Sequence, residues 1–452
     1  MGIMNSTDLY YEKMTKTPVS RLIIRLGLPT TVSMMISSIY NIADTYFVGT
    51  LGESPQAAVG IILTLQGVIQ ALGFMIGHGS GTFVAKELAN RDAEAAGRYT
   101  SSAFFLAAAL AALFATLSLI FIGPLMRLLG STETILPYAE DYGMWILLAC
   151  PAIMCSLVMN NNLRYEGMAT SAMIGLTFGG VLNIFGDWLL IAKYGMGVYG
   201  AGLSTAVSQV VSFVILLWMQ TKKAQSRIRF RYVSRSAKTY LNIARMGFPS
   251  LIRQGLNAFS LGILNNLTKP FGDAAIAAMT VVNRYCFIVS SVGIGIGQGF
   301  QPVSSFNYQA KEYGRVKKGL VFTTCFAFGV VAVLAVPGII FSDKIVYLFQ
   351  KSEEVISIGG PALRYAAIGV MFIPLAMPVN MLMQSIQRAG MAAFLAMLRS
   401  GLVFIPVLLT AVHFLGLTGI QISQPIADVL VGLISLPIMA GFLRNTPDNK
   451  GE

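Results

Sequence analysis

The chain has 452 residues; 55% are apolar before glycine is counted and only 12% are charged, about half the ~25% of soluble domains. A soluble fold of this length has too little interior to hide that much apolar surface, which excludes a string of water-soluble domains and predicts a polytopic membrane protein. The net charge of +12 must then be read from where the charges fall.

Apolar stretches of about 20 residues, enough to cross ~30 Å of hydrocarbon as helices, recur along the whole chain. They are expected near 22–48, 57–80, 99–125, 138–163, 170–192 and 199–220, then near 247–268, 274–300, 319–341, 361–386, 390–415 and 426–443. The fold class is therefore all-α, with twelve transmembrane helices. Pro29, Pro151, Pro249, Pro374 and Pro406 fall inside these stretches, where neighbouring helices can re-satisfy the freed backbone groups. The four cysteines, Cys150, Cys155, Cys286 and Cys325, lie in apolar runs without metal or disulfide spacing. No cleavable signal peptide is visible in the polar N-terminal stretch.

With cytoplasmic termini, the inner segments hold 23 Lys and Arg, including Lys86, Arg91, Arg98, Arg164, Lys311, Arg315 and Lys450. The outer segments hold five: Arg127, Lys193, Lys269, Lys344 and Lys351. That asymmetry places both termini on the cytoplasmic side, and a bacterial-type plasma membrane is the expected location. The densest run, Lys222 to Arg245, has eight basic residues and no acid. It is expected to face anionic lipid, and nucleic acid is not an expected partner.

Internal similarity recurs at a spacing near 220. Arg25-Leu-Gly-Leu-Pro29 returns as Arg245-Met-Gly-Phe-Pro249, and Ile76-Gly-His-Gly79 as Ile296-Gly-Gln-Gly299. Pro151 precedes Gly167-Met-Ala169 as Pro374 precedes Gly390-Met-Ala392. The expected organisation is a six-helix bundle at 1–220, a basic cytoplasmic linker at 221–246 and a second six-helix bundle at 247–452. The two pseudo-symmetric halves suit alternating access, with a substrate site between or within them.

Ionisable groups inside spans are costly and are functional candidates. The first half has Asp44, His78 and Asp187; Asn183 lies one turn before Asp187 on the same helix face. Asp44 and Asp187 fall at matched depth, ~6 Å below the outer ends of their spans. Two such carboxyls can hold a proton near neutral pH or attract a cation, sodium or an organic substrate, with Asn183 as a neutral oxygen. Proton and cation then compete. The second half has Arg253, Arg284 and Arg399 deep in its spans, with Gln254 beside the first; they hold helices together or line a cavity that receives an anionic group. His78 is expected to serve helix packing, and His413 and Asp428 to be solvated. The chain has no GxxxxGK[ST] phosphate loop to use ATP and no Ser/His/Asp constellation for an enzyme.

The Asn41-Ile-Ala-Asp44 context, the Asn183 to Asp187 turn and the two halves resemble the MATE (multidrug and toxic compound extrusion) family. The missing second-half acids are similar to its DinF-type branch, in the direction of MepA-like drug exporters. The resemblance implies that Asp44, Asn183 and Asp187 bind the coupling proton or sodium, that Tyr142 and Thr205 line the same pocket, and that Pro29 is a hinge in the first helix. It further implies a monomeric antiporter, without cofactor, that exports amphiphilic cations. The alternative is a lipid-linked precursor flippase of the same superfamily, whose pyrophosphate head group would suit the deep arginines.

Overall fold

The computed structural model describes residues 6–447; Lys450 lies outside them. The first half comprises α1 (Ser6–Lys16), α2 (Val19–Gly49), α3 (Glu53–Ala89), α4 (Ala93–Ile120), α5 (Ile122–Leu128), α6 (Leu136–Tyr165), α7 (Ala169–Asp187) and α8 (Gly197–Lys222). The second comprises α9 (Ala237–Thr268), α10 (Asp273–Gln309), α11 (Tyr313–Ile340), α12 (Ser342–Phe349), α13 (Glu353–Val370), α14 (Ile373–Ser385), α15 (Ala389–Met397), α16 (Phe404–Leu415) and α17 (Leu417–Asn445). A π-helical turn, Trp188–Lys193, extends α7, and another, Leu398–Leu402, joins α15 to α16. The described residues form no strand.

Ten helices are long and apolar enough to span a membrane, and α13 with α14 makes an eleventh span bent by 44°. The remaining expected span lies in α9, whose 32 residues (~48 Å) are long enough but carry Lys238, Arg245 and Arg253. Pro374 does not kink a helix here. It occupies the first turn of α14, where its missing N–H is not needed.

The repeat is written into the backbone at a spacing of 220. Arg91 and Lys311 both adopt a φ of 62° in the turns after α3 and α10. Asn160 Nδ2 donates to Ala172 O at 3.1 Å, and Asn380 Nδ2 to Ala392 O at 2.7 Å. Gly167 and Gln387 take the same left-handed turn, with φ of 71° and 64°. These equivalences correct the pairing of Gly167-Met-Ala169 with Gly390-Met-Ala392, which is three residues out of register.

The chain divides into two compact units, one of 1–11 and 32–251, the other of 12–31 and 252–452. A single crossing in the linker was expected; instead residues 221–246 belong wholly to the first unit. The chain changes unit inside α2 and inside α9, two residues after Pro29 and two after Pro249. Glycines explain the exchange. In the first unit, a methyl on Gly79 would strike the backbone of Ile243, and one on Gly247 the carbonyl of Met75. In the second, Gly299 packs on the backbone of Gly27 in the same way. The repeated Arg-x-Gly-x-Pro and Ile-Gly-x-Gly motifs are thus the two faces of one close helix crossing, made once in each unit.

Around these crossings the packing is that of membrane helices. In the first unit α6 is central, with 72% of its apolar window buried. Helix α4 turns the stripe Ala103, Ala107, Ala111 and Ala115 to the core and leaves Leu113, Leu117 and Ile120 exposed. Because its neighbour is backbone, Gly79→Ala or Gly299→Ala should cost at least about 1–3 kcal/mol, read as a lower unfolding midpoint of the purified protein. Gly60→Ala, with nothing within 4 Å of the new methyl, should leave the midpoint unchanged or slightly raised.

Candidate functional site

Glycines also build the site in the first unit. On α7, a Cβ at Gly179 would meet Ser212 at 3.0 Å, and one at Gly180 would meet Ile36 at 2.8 Å and Tyr40 at 3.2 Å. This face lets α7 lie close to both α8 and α2. On α8, Gly202 lies against Tyr142 and Trp145 of α6, 3.1 Å from where its Cβ would stand. Four helices so drawn together bring Asp44 of α2, Tyr142 of α6, Asn183 and Asp187 of α7, and Thr205 of α8 into one buried cluster.

The hydroxyl of Tyr142 donates to Asp44 Oδ2 at 2.7 Å and lies 3.3 Å from Thr205 Oγ1. Asn183 Nδ2 donates to Thr205 Oγ1 at 3.0 Å, and Ser204 Oγ donates to Asn183 O at 3.0 Å. Asp187 stands one turn further along α7, immediately before the π-helical turn, near enough to Asp44 for the two charges to interact. Asp44 is 4% exposed and Asp187 fully buried.

What the cluster lacks defines its chemistry. Asp44 Oδ1, Asn183 Oδ1 and both carboxyl oxygens of Asp187 are buried without a hydrogen-bond donor. No Lys or Arg among the described residues forms an ion pair with either acid. Leaving a buried charge uncompensated costs several kcal/mol, so the pair must be neutralised by something taken from outside. A proton on a carboxyl or a hard monovalent cation on the free oxygens fits that donor set. No group of three or more His, Cys, Asp or Glu that could hold a metal ion is found among the described residues. Ser204 had been overlooked, because a serine beside a threonine on an apolar helix gives no signal of its own.

The other polar residues separate into distinct places. His78 is buried, stacked on Phe74, with Ser250 and Arg164 at its ring nitrogens, as helix packing requires. Glu166, in the turn after α6, had not been singled out. It is buried and accepts from Gln220 Nε2 at 3.2 Å, from the Gln225 N–H at 2.8 Å and from the hydroxyl of Ser226, tying the start of the linker to α6. Burial pushes its carboxyl above the ordinary range, against the pull of these donors.

In the second unit, Arg253 Nη1 donates to Asn380 Oδ1 at 3.2 Å, Gln254 is half-buried, and Arg284 is exposed on α10. Asp428 is not solvated, as had been expected, but 5% exposed and paired with Arg399 Nε at 2.9 Å; Gln424 donates to the same oxygen at 3.1 Å. The expectation failed because depth from a helix end says nothing about which way a side chain faces. Arg399 keeps 29% of its side chain exposed, so the pair is asymmetric. Arg399→Gln, which strands a buried carboxylate, should destabilise the protein more than Asp428→Asn, which frees an arginine that can reach water; comparing the two unfolding midpoints checks this.

One family model, MatE, matches the chain twice, over residues 29–189 and 249–410, so that one match begins at Pro29 and the other at Pro249. The chain is 24% identical over 440 residues to the multidrug export protein MepA of Staphylococcus aureus, covering 96% of each. It is 25% identical over 443 residues to that of Staphylococcus saprophyticus, again with 96% of each covered. Among solved structures, an outward-facing multidrug resistance MATE family transporter of the MOP superfamily superposes with a TM-score of 0.91 at 23% identity, covering 98% of this chain and 99% of the other. With its paired halves, apolar spans and two family-model matches, this chain belongs to the MatE family of multi-pass membrane transporters.

Proposed function

We infer that the protein is a secondary antiporter that exports amphiphilic cations in exchange for protons or sodium, with Asp44 and Asp187 as the coupling pair. The observation that carries this reading is the buried carboxyl pair with its orphan oxygens and no protein counter-charge. Its charge can be cancelled by a coupling ion or by a cationic substrate, and each occupant removes the attraction for the other. Competition of that kind couples outward movement of substrate to inward movement of the ion. Tyr142 and Thr205 orient Asp44 and Asn183, and sodium, when it is the coupling ion, sits among Asp44, Asn183 and Asp187. The relatives' description as multidrug export proteins supports the substrate class.

Pro29 is the hinge in this reading. Proline removes a helical hydrogen bond, and α2 passes from one compact unit to the other two residues later. A bend there moves Asp44 without disturbing the Gly27 crossing. The charge asymmetry of the loops supports a plasma-membrane location with both termini cytoplasmic, and the protein works as a monomer without a cofactor.

Reconstituted in vesicles, the protein should move fluorescent organic cations when either a pH or a sodium gradient is imposed. Asp44→Asn and Asp187→Asn should each reduce that transport to the level of empty vesicles while the unfolding transition stays cooperative. Retained gradient-driven transport in both variants would remove the pair from the mechanism. Movement of a labelled polyprenyl pyrophosphate with none of the dyes would replace export by lipid-linked precursor flipping.

A further inference from the structure

The basic linker is a built structure, held on the flank of α4. Thr100 Oγ1 donates to Ser226 Oγ at 2.7 Å, Ser101 Oγ accepts from the Arg229 N–H at 3.0 Å, and Ser102 Oγ accepts from the Ser234 N–H at 2.9 Å. Three consecutive hydroxyls of α4 therefore take up linker groups that would otherwise need water. Phe230 stands edge-on to Phe105 of α4 at 5.5 Å and is itself 80% exposed. Tyr232 is seated where Gly97 leaves room, its ring 3.1 Å from the position of the missing Cβ. The guanidinium carbons of Arg229 and Arg231 lie 5.5 and 5.1 Å from the centre of that ring.

The height of this assembly follows from α4. Its 28 residues make a helix of ~42 Å, about 12 Å longer than the hydrocarbon. Between Arg98 and Arg127 the chain carries no charge, so the surplus of about eight residues is the charged first two turns. The hydrocarbon boundary then falls near Ser101, where the linker backbone is bonded. Phe230, beside Phe105, lies on the acyl side of that boundary, while the guanidiniums of Arg229 and Arg231 lie at the level of lipid phosphates.

We propose that Arg229, Phe230, Arg231 and Tyr232 form a binding site for an anionic phospholipid, with the two guanidiniums on the headgroup phosphate and Phe230 among the acyl chains. Planar guanidiniums match phosphate oxygens in pairs, and Tyr232 holds both on one support. Glu94, the acid that acts on Arg231, is engaged by Arg98 at 3.0 Å, and the eight basic residues from Lys222 to Arg245 include none in an ion pair among the described residues. The excess positive charge is therefore available to lipid. A nucleic acid is disfavoured because the aromatic side chain between the arginines lies at hydrocarbon height.

The test is equilibrium binding of acyl-labelled phosphatidylglycerol and phosphatidylcholine to the full-length protein in neutral detergent. The wild type should prefer phosphatidylglycerol, and Arg229→Gln with Arg231→Gln should reduce that preference roughly tenfold to thirtyfold with no change in unfolding midpoint. Phe230→Ser should weaken both lipids alike. The control pair Lys311→Gln with Lys318→Gln, which removes equal charge from another inner segment, should leave the preference intact. An unchanged preference in the arginine pair, or an equal loss in the control, would overturn the site. Displacement of the lipid by glycerophosphate at a similar concentration would show a soluble anion to be the ligand and overturn the lipid assignment.

Discussion

Two carboxyl groups without a counter-charge, sealed among four helices, are the constraint on which the structure of the first unit turns. Two other buried acids are answered: Asp428 by Arg399 and Gln424, and Glu166 by Gln220, Gln225 and Ser226. Asp44 receives one hydrogen bond, from Tyr142, and Asp187 receives none. A site built only for stability would have spent a lysine there or replaced the acids by apolar residues of similar volume. Left open, they are two buried carboxyls that nothing else among the described residues of the first unit balances.

Close helix contact makes the arrangement affordable. Gly179 and Gly180 admit Ser212 of α8 and Ile36 and Tyr40 of α2 to α7, and Gly202 admits Tyr142 and Trp145 of α6 to α8, so the polar cluster is closed in by close helix contact. The same device operates at the crossings of Gly79 with Ile243 and of Gly299 with Gly27. There it places the start of each half's first helix in the unit formed mainly by the other half. Pro29 and Pro249 sit just before the points at which the chain passes from one unit to the other. Lipid provides no hydrophobic drive for helix association, which is why small residues, rather than large apolar ones, mark every contact that matters here.

Much of this was legible in the chain. Span positions follow from apolar length, and the repeat follows from two short motifs whose physical reason, one glycine crossing made twice, is clear only in three dimensions. Asp44, Tyr142, Asn183 and Thr205 are joined by hydrogen bonds, with each lying near the same end of a span in one bundle. The burial of Asp428 was not legible, because position along a helix does not determine the direction around it. Nor was the break before Pro374 visible in an apolar stretch that reads as continuous. Glu166 escaped notice beside a glycine in what reads as an ordinary loop, and the linker was read as charge alone, although Thr100, Ser101 and Ser102 fix its course.

Proton exchange on cation binding is the most direct measure of whether ion and substrate share the carboxyl pair. Purified protein in weakly buffered, sodium-free detergent solution should release protons when an organic cation binds, and added sodium should compete with the cation. In the Asp44→Asn, Asp187→Asn double variant the release should vanish. Cation binding of unchanged affinity across pH and sodium concentration, with no proton released by the wild type, would contradict the account.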